Sequence, residues 1–406
     1  MQKTSTNEFI ALCAMLTAMV AMSIDTMLPG LGLIARDLGV TSANDRQFII
    51  FGFFIGHAVG TLVFGPLSDS IGRKPTIYLG LVFYALGALL CMSAWSFPAL
   101  IAGRILQGFG AAAPRSVSIA MVRDGFAGPA MARVMSFVMA TFMIVPILAP
   151  SVGAMVLQFA HWRYIFAGFL VMAMIAGTWL ATRQEETLRP ENRRPFKASA
   201  MWQSAKEVIA HPVSLGYTVA VGGVFAAFST YLGASEQLFM EQYGQGYYFA
   251  LWFAFLALAM VIAQVTNGRT VMKLGMRKLT TVGLNALLIT STLMLLLTMY
   301  FAGHPPFWTV VGYLFITFMS TGLMFGNYNA MAMEPMGHIA GMAAAISGTL
   351  SSLIAIAAAI TVGRLYDGTF TIFVSMFLAA GVWAFAWSWW AEQGRGRMQA
   401  SLARSA

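Results

Sequence analysis

Twelve long apolar runs, separated by short polar stretches, fill most of the chain: about 9–31, 47–67, 76–95, 98–119, 131–158, 163–182, 213–234, 247–266, 279–301, 307–331, 338–362 and 368–390. Each comes close to the roughly 20 residues a helix needs to cross the ~30 Å hydrocarbon layer of a bilayer. No run alternates strictly between apolar and polar residues as a barrel strand would, so a membrane β-barrel is excluded. The pattern predicts an all-α membrane protein with twelve transmembrane helices. The first run is longer than the core of a secretory signal and lacks a small-x-small cleavage site, so it reads as an uncleaved first span.

The longest polar stretch, Thr182 to about Pro212, follows the sixth run and divides the chain into halves of six runs each. The expected organisation is an N-terminal bundle over 1–182, a solvated and partly helical cytoplasmic linker over 183–212, a second bundle over 213–390, and a cytoplasmic tail over 391–406. A faint internal repeat agrees. Gly275-Met276-Arg277-Lys278 lies 203 residues after Gly72-Arg73-Lys74, half the 406-residue length. Two pseudo-symmetric six-helix bundles related by an axis along the membrane normal form one known transporter plan, with the binding site near the midplane.

Composition supports the membrane reading. A soluble domain carries about 45–50% apolar and about 25% charged residues. This chain has 59% and 10%, with a mean hydropathy of +0.74. The formal charge of +9 would suggest a nucleic-acid partner in a soluble protein, but here it follows the topology. With the N-terminus placed in the cytoplasm, eighteen of the 24 basic residues fall on that side, Lys3, Arg73, Lys74, Arg123 and Arg133 among them. Only Arg36, Arg46, Arg163 and Arg364 fall on the other, so the positive-inside rule places both termini in the cytoplasm. Cys13 and Cys91 lie inside apolar runs and read as small core residues. No phosphate loop, zinc-protease helix, paired-cysteine motif or nucleophile elbow occurs. No catalytic or metal site and no cofactor are expected.

The informative residues are the polar ones inside the runs. Asp25 leads them, because a charged, unpaired carboxylate in an apolar span costs several kcal/mol and is usually functional. Burial raises its proton affinity and a nearby cation lowers it, which is what a proton carrier needs. Arg104 lies too deep in the fourth run to snorkel and is the expected partner of Asp25, with Gln107 one turn away to orient it. Arg115 either lines the inner half of a cavity or snorkels inward. Gln107, Tyr231, Asn327 and Asn329 each need a polar partner or a wet cavity and are candidate substrate contacts. His57 reads as a hydrogen-bonded structural histidine. Gly52, Gly56 and Gly60 form a double GxxxG packing face, expected to meet the eleventh span.

Four motifs carry a family resemblance. Gly65-Pro66-Leu67-Ser68-Asp69-Ser70-Ile71-Gly72-Arg73-Lys74-Pro75 resembles the cytoplasmic loop signature of the major facilitator superfamily at every fixed position. Arg104-Ile105-Leu106-Gln107-Gly108 resembles its R-x-x-Q-G motif, and Ala149-Pro150-Ser151-Val152-Gly153 its proline- and glycine-rich antiporter motif. With Asp25-Thr26-Met27-Leu28-Pro29 and Val122-Arg123-Asp124, they resemble the drug/proton antiporter branch of Bcr/CflA type. The motifs lie mainly in the first half; the second matches only in layout.

The resemblance implies a monomeric transporter of the bacterial inner membrane that exports small amphipathic compounds in exchange for protons, driven by the proton gradient alone. An uptake symporter or a dedicated metabolite exporter of the same fold is the alternative. It implies that Asp25 and Arg104 couple protons, that Gly65, Asp69, Gly72, Arg73 and Asp124 form a cytoplasmic gate, and that Pro150 and Gly153 mark an exporter. Some relatives carry a second acid about two turns before Asp25; this chain has Thr17 there, which implies one proton per cycle.

Overall fold

The computed structural model describes residues 5–405, with side chains described except at positions 129, 132, 142 and 398–405. Lys3, counted above toward the topology, lies outside them. The chain divides into two units, Met1–Lys197 and Ala198–Ala406, and no strand occurs among the described residues.

The first unit holds α1 (Thr6–Asp25), α2 (Leu31–Asp37), α3 (Phe48–Ile71), α4 (Arg73–Met92), α5 (Phe97–Gly125), α6 (Gly128–Phe159) and α7 (Arg163–Arg183). Ser5 caps α1 through the Glu8 N–H at 3.3 Å. The Glu8 carboxylate takes both prongs of Arg183 at 2.7 and 2.9 Å, tying the first helix to the last. Helix α5 packs closely against α3 and α4. A Cβ at Gly56 would stand 1.9 Å from the Ile105 carbonyl oxygen, and one at Gly108 would stand 2.0 Å from that of Phe53. Only glycine allows backbones this close. The glycine stripe of α3 therefore faces α5 within its own unit, not the eleventh span as expected.

The second unit holds α8 (Ala198–Ala210), α9 (Pro212–Glu236), α10 (Phe249–Leu274), α11 (Met276–Tyr300), α12 (Phe307–Met333), α13 (Ala340–Gly363) and α14 (Thr371–Ser405). Here α9 packs against α13 and α14, while α12 packs against α10 and α11. Trp383 of α14 donates its indole N–H to the Val219 carbonyl at 2.9 Å.

Ten segments among the described residues are long and apolar enough to cross a membrane. One, Phe307–Gly363, contains both α12 and α13. Helix α5 falls outside the ten because Arg104, Gln107, Pro114 and Arg115 lower its hydropathy. With these two helices counted, the fold has twelve transmembrane helices.

Two boundaries differ from the expected ones. The polar stretch after α7 is divided, with residues up to Lys197 belonging to the first unit and α8 to the second. Helix α14 continues through the expected tail to Ser405.

Candidate functional site

The first run does not stay helical to its end. Helix α1 stops at Asp25, and a 3-10 turn over Leu28–Gly30 carries Pro29 before α2 begins. Asp25 is 5% exposed, and its carboxylate forms no hydrogen bond or ion pair among the described residues. The next side chain, Thr26, is also buried with its hydroxyl unbonded. Thr17, where some relatives carry an acid, bonds the Cys13 carbonyl at 2.8 Å and the Ser118 hydroxyl at 3.1 Å. It serves to join α1 to α5.

Arg104 is fully buried on α5. Its Nε donates to the Ile49 carbonyl at 2.9 Å, one terminal nitrogen to Gln107 Oε1 at 2.7 Å, and the other to the Ser23 carbonyl at 3.0 Å. The guanidinium also lies over the Phe53 ring, 4.7 Å from its centroid. Gln107 thus orients Arg104, but the expected Asp25–Arg104 pair is not formed. Rigid backbone acceptors from α1 and α3 satisfy the guanidinium instead. Arg104 reaches only the backbone two residues before Asp25. The Ser23 hydroxyl meets Tyr84 Oη at 2.7 Å, extending this polar core into α4.

The antiporter motif touches the same place. Helix α6 is continuous through Pro146 and Pro150. A Cβ at Gly153 would stand 2.0 Å from the Thr26 carbonyl oxygen and 3.1 Å from Pro29 Cγ.

The loop signature folds around Arg73. Gly72 separates α3 from α4 with φ of 110°, a conformation open to glycine and costly for other residues. Arg73 then donates to Asp69 at 2.5 Å, to the Ser68 hydroxyl at 2.8 Å, and to the two Asp124 oxygens at 2.8 and 3.3 Å. Asp69 and Arg73, one helical turn apart in number, form one cluster with Asp124, 51 residues further on. The Gly65 carbonyl accepts from Ser68 at 2.8 Å, holding the same turn.

Glu186, which reads as a solvated linker residue, completes this cluster. Its carboxylate accepts from the Arg73 and Lys74 backbone N–H groups at 2.9 and 3.0 Å. It therefore caps the N-terminus of α4, where an anion is favourable by about 0.3–1 kcal/mol. Thr187 adds a bond to Asp124 at 3.2 Å, and the Arg194 N–H one to the Asp69 carbonyl at 2.9 Å.

The softer candidates scatter. Arg115 is half-buried on α5. His57 is not the hydrogen-bonded histidine expected: its Nε2 is buried and unbonded, and the ring stacks on Phe53 at 6.4 Å. Tyr231 is buried in an aromatic cluster with Phe253 at 6.1 Å and Phe318 at 4.8 Å. Asn327 donates to Asn267 Oδ1 at 2.8 Å and to the Leu323 carbonyl at 2.9 Å, joining α12 to α10. Asn329 bonds the Phe325 carbonyl at 2.8 Å on its own helix. Cys13 and Cys91 are free and buried.

The second unit adds two features. Glu236 ends α9 and is 5% exposed, matching Asp25 at the end of α1. Arg277, in the repeated loop, donates to Glu392 at 2.7 Å and to Glu334 at 2.9 Å, while Tyr217 donates to Glu392. As at Arg73, one arginine bridges two carboxylates.

The comparisons with known proteins concern the chain as a whole. Residues 10–360 match the family model described as Major Facilitator Superfamily. The chain is 29% identical over 354 residues to the "Bicyclomycin resistance protein homolog" of Haemophilus influenzae, covering 86% of this chain and 87% of that one. It is 30% identical over 281 residues to the "Chloramphenicol resistance protein" of Pseudomonas aeruginosa, covering 68% and 65%. The crystal structure of a D-xylose-proton symporter superposes with a TM-score of 0.73 over 94% of this chain and 97% of that one, at 15% identity. The chain belongs to the major facilitator superfamily.

Proposed function

We propose that this protein exports small amphipathic organic compounds, antibiotics among them, in exchange for protons. The names of the relatives support the drug class, since two are resistance proteins. Asp25 carries the coupling: a carboxylate buried in a spanning segment, with no hydrogen-bond or ion-pair partner among the described residues. Such a group holds a proton while shielded from water and releases it on exposure. Alternating exposure of this site to the two sides of the membrane then links proton entry to substrate exit.

The proton gradient drives the cycle without a cofactor. It supplies about 2.3 kcal/mol per charge per 100 mV and about 1.36 kcal/mol per pH unit. The protein works as a monomer in the bacterial inner membrane with both termini in the cytoplasm, as the basic residues indicate. Asp69, Arg73 and Asp124 form a cytoplasmic clamp that opens once per cycle. Two arrangements of such a cluster make a bistable element.

Everted vesicles test the reading. Acidifying the interior should drive accumulation of chloramphenicol or a fluorescent drug, and Asp25→Asn should abolish that response while the protein stays folded. Wild-type pH-driven accumulation in the Asp25→Asn variant would sink the coupling role. Substrate loss from acidified vesicles would point to uptake instead.

A further inference from the structure

The face of α8 that packs against nothing in its unit has a composition unlike a water-exposed helix. Ser204 and Val208 are buried, and the helix packs against α9 and α13. At 100° per residue, Trp202, Lys206 and Ile209 fall within about 60° of one another on the side away from Ser204 and Val208. Gln203 lies about 60° beyond Lys206, on a polar flank shared with Ser199 and Glu207. Trp202 is 65% exposed and Ile209 51% exposed. Glu207 is held by His338 at 2.6 Å, which fixes the rotation of the helix and leaves this stripe outward. Lys206 sits over the Trp202 ring at 5.5 Å and forms no ion pair or hydrogen bond among the described residues.

The position of α8 identifies what covers the stripe. One residue, His211, in extended conformation, separates α8 from α9, and α9 opens a membrane-spanning segment. Helix α8 therefore ends within two residues of the bilayer. A short helix there, with tryptophan and isoleucine on one side and glutamine on the polar flank, fits the boundary between headgroups and acyl chains. Lys206 lies between the apolar and polar sides, where a lysine reaches the phosphate layer.

We propose that the Trp202–Lys206–Ile209 stripe of α8 is seated in the membrane surface and binds the headgroups of anionic phospholipids. Trp202 and Ile209 enter the acyl boundary, and Lys206 pairs with lipid phosphate. This inference rests on the membrane-spanning fold alone and stands whether or not the protein exports drugs.

The test uses the full-length protein in liposomes. A fluorophore is placed at Trp202→Cys, Ile209→Cys or Gln203→Cys; Cys13 and Cys91 are buried and should not label. Brominated lipid should quench the label at 202 and 209, and aqueous iodide the label at 203. In parallel, competition between phosphatidylglycerol and phosphatidylcholine at the protein surface is measured for wild type and Lys206→Gln. The preference for phosphatidylglycerol should fall about fivefold in the variant, the equivalent of ~1 kcal/mol for one surface lysine. Iodide access at 202 and 209 equal to that at 203 overturns the proposal, as that pattern would leave the stripe in water or open to a protein partner. An unchanged lipid preference in Lys206→Gln overturns it as well.

Discussion

Gly153 of α6 lies against the backbone of Thr26, close enough that a methyl group at Gly153 would stand 2.0 Å from the Thr26 carbonyl oxygen. The antiporter motif thus presses on the residue that follows Asp25. Since that oxygen belongs to the backbone, a larger residue must shift α1 or α6 rather than turn a side chain aside. Gly153→Ala should destabilise the protein by about 1–3 kcal/mol, the usual cost of overpacking. Transport per folded molecule should fall too, because the displaced segment carries Asp25. Gly168→Ala, inside α7 with nothing within 4 Å, should leave transport unchanged and raise stability by about 0.5–1 kcal/mol. Thermal unfolding and vesicle transport measured on the same preparations check this.

Arg104 meets three acceptors on three sides through its planar fork. A lysine keeps the charge but offers a single nitrogen, so at least one of the Ser23, Ile49 and Gln107 oxygens loses its partner. An unsatisfied buried acceptor costs about 1–3 kcal/mol. Arg104→Lys should therefore lower thermal stability and impair transport despite its conserved charge. Gln107→Ala should be milder, since it leaves both backbone bonds to Arg104 in place.

Glu186 caps α4 and receives the Leu188 N–H at 2.9 Å, so one carboxylate anchors the segment after α7. Glu186→Ala should cost about 0.5–2 kcal/mol, the range for a lost helix cap. The segment over 184–194 should then be cut faster by trypsin after Arg193, the bonds after Arg189 and Arg194 being protected by Pro190 and Pro195. Unchanged cleavage rates would mean that the contacts of Thr187 and Arg194 hold the segment without it.

The fold could be read from the sequence because bilayer thickness sets the length of each apolar run. The Asp69–Arg73 part of the cluster was also legible, since these two sit at fixed spacing in a recognisable loop, and Asp124 belongs to a second motif at the end of α5. Glu186 was not: among the charges of a polar stretch nothing marks the one that folds back 113 residues to α4. Glu236 was missed for a different reason. The seventh run ends near 234 by hydropathy, but the helix continues to Glu236 and then through a π-helical segment over Gln237–Gln242. The chain therefore buries a second carboxylate that apolar length alone did not reveal. The partner of the Gly52–Gly60 stripe was likewise hidden, because a small-residue face does not say which neighbour it meets.

The second unit has its own charged cluster, and its two acids should not be equal. Arg277 pairs with Glu392 and Glu334, whose side chains are 33% and 50% exposed. Glu392 also accepts from Tyr217 and from Arg395, at 2.8 Å, so its position is fixed before Arg277 binds. Glu334 receives only Arg277 among these donors and lies in better contact with water, where exposed pairs contribute about 0–1 kcal/mol. Double-mutant cycles should accordingly give a larger coupling for Arg277→Gln with Glu392→Gln than for Arg277→Gln with Glu334→Gln. Raising the salt concentration should erode the Glu334 coupling first, because exposed pairs are screened more strongly than half-buried ones. Tyr217→Phe should reduce the Glu392 coupling by freeing that carboxylate to move. Equal couplings with equal salt dependence would mean that preorganisation of Glu392 contributes nothing to the Arg277 cluster.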